Sequence, residues 1–262
     1  MDGDKGVAEV KIKQATVLIF PSLAEMASTA ASRAAESLRG AIAERGRARI
    51  IVATGNSQIA FLKTLTEQPG IDWSKVEVFH MDEYVGMDFE HPAGFRRYVK
   101  TRLVDVVGAG RAHYLNGEAL DLDVECRRYG ELLAEAPIDL CCMGIGENGH
   151  IAFNDPHVAD FKDPLAVKRV TLDEACRRQQ VGEGHFTDLD ATPREALTLT
   201  CPVLITPRHL ICIAPERRKA EAARNAIEGP LSEDCPASLL LTQPHAAIYL
   251  DQESASLLSV NQ

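Results

Sequence analysis

Two acidic residues, Asp82 and Glu83, directly follow the apolar run Val76–His80, and His150 sits in the glycine-rich segment Gly144-Ile145-Gly146-Glu147-Asn148-Gly149-His150 after a second apolar run. An aspartate of ordinary pKa is ionised at pH 7 and can carry a proton between adjacent carbons. Alternatively, the acidic pair is a surface feature or caps a following turn. An imidazole exchanges protons near neutral pH. A carboxylate close by, such as Asp155, can orient it and stabilise its charged form. Asn148 lies two residues before the histidine. A third segment, Thr54-Gly55-Asn56-Ser57, joins an apolar run to a helical stretch. Backbone N–H groups, hydroxyls and a helix N-terminus can hold an anion there. Arg217-Arg218-Lys219 opens another helix, where cations oppose the macrodipole. A phosphate would justify them; a solvated basic turn is the alternative.

Gly144, Gly146 and Gly149 also satisfy a dinucleotide-binding fingerprint literally. That fingerprint needs a helix to begin at once and hold the pyrophosphate. Here Asn154-Asp155-Pro156 follows, and proline disfavours helical geometry at the residue before it. The glycines instead let the backbone turn and approach a ligand. His80, Asp82, His91 and His150 raise a metal site, but no pair has a recognisable ligand spacing, so no metal is expected.

These segments need a scaffold, and the hydrophobic pattern supplies one. Thr16–Phe20, Arg49–Ala53, Val76–His80, Ile138–Met143, Ala166–Thr171, Ala196–Thr200, Leu210–Ala214 and Ala247–Leu250 read as strands. Ala24–Arg45, with Ser22 as its cap, Gln58–Thr66, Ala93–Val104, Asp121–Ala134 and Arg217–Glu228 read as helices. Alternation of this kind predicts an α/β protein with a mostly parallel sheet covered on both faces. Ligands bind such sheets beyond the carboxyl ends of the strands. The segments Thr54–Ser57, Asp82–Tyr84 and Gly144–Pro156 all leave those ends.

The chain has 262 residues, a net charge of −10, 45% hydrophobic and 25% charged residues, which is globular composition. With no linker or repeat, one domain over 1–262 is the simplest reading, with 1–13 as a flexible N-terminal extension. The acidic surface disfavours nucleic acid and anionic membrane as partners. No stretch approaches the roughly 20 apolar residues of a membrane span, and Met1–Lys13 lacks a signal-peptide core, so a cytoplasmic location is expected. Seven irregularly spaced cysteines predict buried free thiols rather than disulfides.

Taken together, Met81-Asp82-Glu83-Tyr84-Val85-Gly86, His91-Pro92 and the run Gly144 to Pro156 closely resemble the glucosamine-6-phosphate deaminases and their sugar-phosphate isomerase relatives. Leu115-Asn116-Gly117, Ala196-Leu197-Thr198-Leu199 and Lys219-Ala220 through Glu228-Gly229 are weaker matches, in the same order and spacing. The resemblance implies a three-layer α/β/α sandwich with a Rossmann-like sheet. It implies conversion of glucosamine 6-phosphate and water to fructose 6-phosphate and ammonia, without a metal or organic cofactor. Asp82 would take the C2 proton and return it at C1. His150 would open the pyranose ring, supported by Asp155. Thr54, Gly55, Asn56, Ser57 and Lys219 would hold the phosphate, with Gly146 beside the substrate.

The sequence departs from the family pattern at four places. The family commonly has an aspartate at the position of Asn148, which can orient an imidazole but not stabilise its charge; Glu147 is a candidate to compensate. Asp155 stands where the family has a longer glutamate, so its contact with His150 is expected to be loose or water-bridged. His157–Pro164 does not match the allosteric segment of hexameric members, so neither that regulation nor the hexamer carries over, and homo-oligomerisation stays open. Where those members have a phosphate-binding arginine, this chain has Gln179 and Gln180, with Arg177 and Arg178 slightly earlier. Alternative functions are an isomerase of another sugar phosphate, a 6-phosphogluconolactonase, and a non-catalytic sugar-phosphate sensor.

Overall fold

The computed structural model describes residues 7–259. Its main sheet has eight strands: β1 (Ala8–Ile12), β2 (Ala15–Phe20), β3 (Ala48–Val52), β4 (Val76–His80), β6 (Arg111–Ala112), β7 (Leu140–Met143), β10 (His209–Ile213) and β11 (Ala246–Asp251). They lie in the order β1-β2-β11-β10-β7-β3-β4-β6, and every pair is parallel except β1 with β2. The central strands are apolar runs buried on both faces, as a sheet covered by helices requires.

Helices α1 (Leu23–Arg45), α2 (Ile59–Thr66) and α3 (Phe95–Val99), which continues through a π-wound turn (Lys100–Val104) into α4 (Asp105–Val107), cover one face. Helices α5 (Leu122–Ala134), α7 (Cys201–Ile205) and α8 (Ala220–Glu228) cover the other. Ser22 caps α1 by accepting from the Glu25 N–H at 3.2 Å. The buried face of α1 is mainly alanine, Ala27, Ala30, Ala31, Ala34 and Ala35 among them. Such small side chains let the helix lie close to its neighbours. Neighbouring Cys141 and Cys142 belong to opposite hydrophobic clusters because side chains alternate along a strand, so they cannot pair. All seven cysteines are free; six are buried and Cys235 is half-buried.

Three expectations need correction. Residues 8–12 are not a flexible extension: Val10 and Ile12 alternate with Glu9 and Lys11, and the segment pairs antiparallel with β2. Residues 1–6 of the expected extension lie outside the described residues. The runs at 166–171 and 196–200 do not join the parallel sheet. β8 (Val167–Thr171) and β9 (Glu195–Leu199) form a second, antiparallel sheet with β5 (Asp82–Tyr84), in the order β5-β9-β8. The reason is legible in β8, whose half-exposed Val-Lys-Arg-Val-Thr pattern suits a sheet with one wet face. Finally, β5 is absent from the strands expected from sequence.

Chain order explains the position of the crevice. From β3 the chain moves outward through β4 to β6; from β7 it moves the opposite way, through β10 to β11. The switch point falls between β3 and β7, and the 54–57 turn and the 144–156 loop leave the carboxyl ends of those two strands. Among the described residues no helix is long and apolar enough to cross a membrane.

Candidate active site

Only Met81 separates β4 from β5, so the chain passes almost directly from one sheet into the other and places Asp82 at their junction. Met81 O accepts from the Leu199 N–H at 2.8 Å. His80 pins the same junction. Its Nδ1 lies 2.9 Å from Asp82 O, and its Nε2 lies 2.9 Å from the Leu115 backbone N. Leu115 N–H must donate, so Nε2 accepts and Nδ1–H donates to Asp82 O. Burial pushes His80 down to about 4, which keeps the ring neutral. Both ring nitrogens are therefore used for structure.

The two acidic residues do different work. Glu83 accepts from the backbone N–H groups of Tyr84, Phe95 and Arg96 at 2.9, 3.2 and 2.8 Å, and so holds the start of α3. Asp82 lines the pocket, and no described residue hydrogen-bonds its carboxyl group. Burial first, and then the charge of Glu83, raise its pKa well above the ordinary value. This corrects the expectation of an aspartate with ordinary pKa: burial and the neighbouring Glu83 make its ionised form costlier than in water.

His150 faces the same pocket. Gly146 makes room for it, since a Cβ there would fall 2.2 Å from the ring. Gly149 adopts φ +87°, and a Cβ on it would meet Cys235 Sγ at 2.8 Å. The loop turns back on itself through Gly146 N–H to His150 O at 2.9 Å. Its far end is tied to β9: Asn154 Nδ2 donates to Leu199 O at 2.8 Å, and Phe153 N–H donates to Thr198 Oγ1 at 3.1 Å.

The support of His150 differs from expectation. Asp155 Oδ1 lies 3.0 Å from His150 Nδ1, so the shorter carboxylate still reaches the ring. The two attract at that distance, but the ring's Nδ1 does not form a directed hydrogen bond to it. Burial pushes the Asp155 carboxyl up, yet His150, the Asn148 amide and the Asp173 N–H outweigh burial and hold it below the ordinary value. Asn148 acts on the carboxylate rather than on the imidazole. Its Nδ2 donates to Asp155 Oδ1 at 3.0 Å and to Asp173 Oδ2 at 3.1 Å, while its Oδ1 accepts from the His150 backbone N–H at 3.1 Å. Those partners fix the amide orientation. Glu147 does not compensate for Asn148; its side chain turns to Arg218 Nη1 at 3.4 Å.

Asp173 caps α6 (Glu174–Gly182) by accepting from the Cys176 N–H at 2.6 Å. Two groups, His150–Asp155–Cys176 and Asp155–His157–Asp173, bring potential metal-ligand atoms within 4.8 Å of one another. Burial, then the charge of Asp155, holds the Cys176 thiol protonated, and Asn148 already occupies one oxygen of each aspartate. That donor set fits a hydrogen-bonded support better than a cation site.

The other end of the pocket is lined by Thr54, Gly55, Ser57 and Lys219, together with Gln179, Gln180 and Glu183 from the end of α6. Gly55 takes φ +96°, where L side chains are strained. Asn56 does not line the pocket; its Nδ2 donates to Glu183 O at 3.2 Å and ties the turn to α6. Lys219 is 3% exposed, and no described group hydrogen-bonds or ion-pairs with its ammonium. Burial lowers its pKa, against the raising effect of Glu183. Sequence reasoning missed Glu183, Phe95 and Phe153 as pocket walls. Gln179 and Glu183 stand one helical turn apart, which was the available signal for Glu183. A wider cleft at the opposite end of the main sheet is lined by Arg45 and Arg208, which both face Asp139.

An open sheet with a crevice at its switch point, a buried aspartate, a supported histidine and an unpaired lysine define an α/β enzyme with an acid–base pocket. The chain belongs to the family of glucosamine-6-phosphate isomerases and 6-phosphogluconolactonases, whose model matches residues 21–249. A glucosamine-6-phosphate deaminase of Exiguobacterium sp. is 35% identical over 206 residues, 78% of either chain. One from Arthrobacter sp. is 32% identical over 248 residues, 92% of either chain. The solved structure of a monomeric glucosamine-6-phosphate deaminase superposes with TM-score 0.85 at 30% identity, covering 92% of this chain and 99% of that one. A 6-phosphogluconolactonase from Shewanella baltica has TM-score 0.73 at 18% identity, covers 93% and 99%, and shares the fold.

Proposed function

We propose that this protein deaminates glucosamine 6-phosphate hydrolytically, giving fructose 6-phosphate and ammonia. The observation that carries the reading is a buried, unbonded Asp82 sharing one pocket with His150. In this reading the phosphate sits at the 54–57 turn and Lys219, and the sugar extends toward Asp82. His150 takes the proton of the C1 hydroxyl and delivers it to the ring oxygen, opening the pyranose. Asp82 as carboxylate removes the C2 proton and returns it at C1, while a proton moves from the C2 nitrogen to O1. The product is a ketimine at C2; water adds there, and ammonia leaves.

The raised pKa of Asp82 fits this order. A substrate ammonium at C2 favours the ionised carboxylate when it arrives, so the base forms where it is needed. Phe95 and Phe153 supply apolar walls that exclude water. Purified protein should release ammonia from glucosamine 6-phosphate, and in deuterated water the C2 hydrogen should exchange. Hydrolysis of 6-phosphogluconolactone without ammonia release would assign the pocket to the other activity named for the family.

A further inference from the structure

Glu183 places a carboxylate in the part of the pocket where the phosphate is proposed to sit. Its side chain is 6% exposed and lines the wall beside Gly55 and Lys219. It is not unpaired. Gln179 Nε2 donates to Oε1 at 2.8 Å, His185 Nε2 lies 3.3 Å from Oε2, and Arg218 Nη1 ion-pairs with Oε1. A phosphate dianion seated against this carboxylate would be repelled unless the local charge rearranged.

The other arginines near α6 are committed elsewhere. Arg177 is buried and donates to Leu189 O and Thr192 O. Arg178 is exposed and pairs with Glu174 on its own helix. Arg217 faces solvent. Arg218 remains, one contact from the pocket wall and adjacent in sequence to Lys219. Its Nε is held by Glu216 at 2.6 Å, which steadies the stem and leaves the terminal nitrogens able to change partners. Glu216 itself is at φ 76°, ψ 148°, a strained conformation for a residue with a side chain.

We propose that Arg218, which ion-pairs with Glu183, is a ligand of the substrate phosphate. When the phosphate enters, the guanidinium exchanges the Glu183 carboxylate for phosphate oxygens and completes the cationic grip begun by Lys219. Its planar fork suits either partner. Glu183 thus supplies a temporary counter-anion, and the cation comes from the turn before α8 rather than from α6. The inference rests on the phosphate position given under Proposed function.

Inorganic phosphate binding to the full chain, followed by titration calorimetry, tests it. Glu183→Gln should bind phosphate more tightly than the parent, because no carboxylate competes. In that background, adding Arg218→Gln should weaken phosphate about tenfold or more, the scale of a charge-assisted hydrogen bond. The KM for the sugar phosphate should rise by a similar factor with kcat held within about threefold. Arg218→Lys should recover part of the loss and guards against a folding artefact. If Arg218→Gln has no effect in the Glu183→Gln background, Arg218 merely neutralises Glu183 and the inference is overturned. If Lys219→Met also leaves phosphate affinity unchanged, the phosphate position itself is wrong.

Discussion

The two ends of the pocket follow opposite electrostatic plans. Around His150 the support is settled: Asp155, Asn148 and Asp173 hold one another through a chain of hydrogen bonds anchored on the cap of α6. Around Lys219 the charges are unsettled, with an unpartnered ammonium, a buried carboxylate and an arginine shared among Glu147, Glu183 and Glu216. The difference teaches that the His150 end is held by fixed hydrogen bonds, whereas at the Lys219 end, on the reading proposed above, the phosphate would complete the pairing of the charges.

The sharpest way to break this contrast is at Asp82. Asp82→Asn should lower kcat about a thousandfold, the scale of lost general base catalysis, with phosphate affinity little changed. Ammonia release near the parental rate would remove Asp82 from the chemistry. Next comes preorganisation. Gly146→Ala drives a methyl into the His150 ring, and misplacement on that scale should reduce kcat about a hundredfold without unfolding the chain. A variant of full activity would show that the ring position is not critical.

Asn148→Asp makes a smaller and less intuitive test. It installs the residue that the family resemblance implies at this position, yet here it replaces a donor to two carboxylates with a third carboxylate. Stability should fall by about 1–2 kcal/mol through lost hydrogen bonds and like-charge repulsion. A thermal melt at neutral pH with no loss would show that the network tolerates the added charge. The smallest effect concerns acid stability. Asp155 has a folded pKa below its ordinary 3.8, so its contribution is present above 3.8 and lost as pH falls through the lowered value. The melting-temperature gap between parent and Asp155→Asn should therefore narrow only in strong acid; a gap independent of pH would mean that the carboxylate charge contributes nothing.

Much of this was legible in the sequence because the two periodicities differ so clearly. Continuous apolar runs such as 140–143 mark doubly buried strands, and Ser22 and Asp121 mark helix starts that the structure keeps. The parallel sheet and its crevice follow from those patterns. The second sheet was less legible, because three residues of β5 carry no periodicity and strand partners are set by tertiary contact. In the pocket, Asp82, His150, Thr54, Gly55 and Ser57 were found from residue type and position, Gly146 and Lys219 were implied by the family resemblance, and all line it. Asn56 was misplaced because a turn's side chains can face either way. The partners of Asn148 and the direction of Arg218 depend on which neighbours fold alongside, and no local pattern encodes that.

Cys235, packed beneath Gly149, gives the molecule two internal clocks. Burial raises its thiol pKa, but it alone among the seven cysteines is half-exposed. Only the thiolate reacts with an alkylating reagent, so its labelling rate follows small openings of the loop that carries His150. The six buried thiols should react more slowly, because reaching a buried thiol takes a larger opening. One time course read by mass spectrometry would separate breathing at the active site from opening of the whole protein.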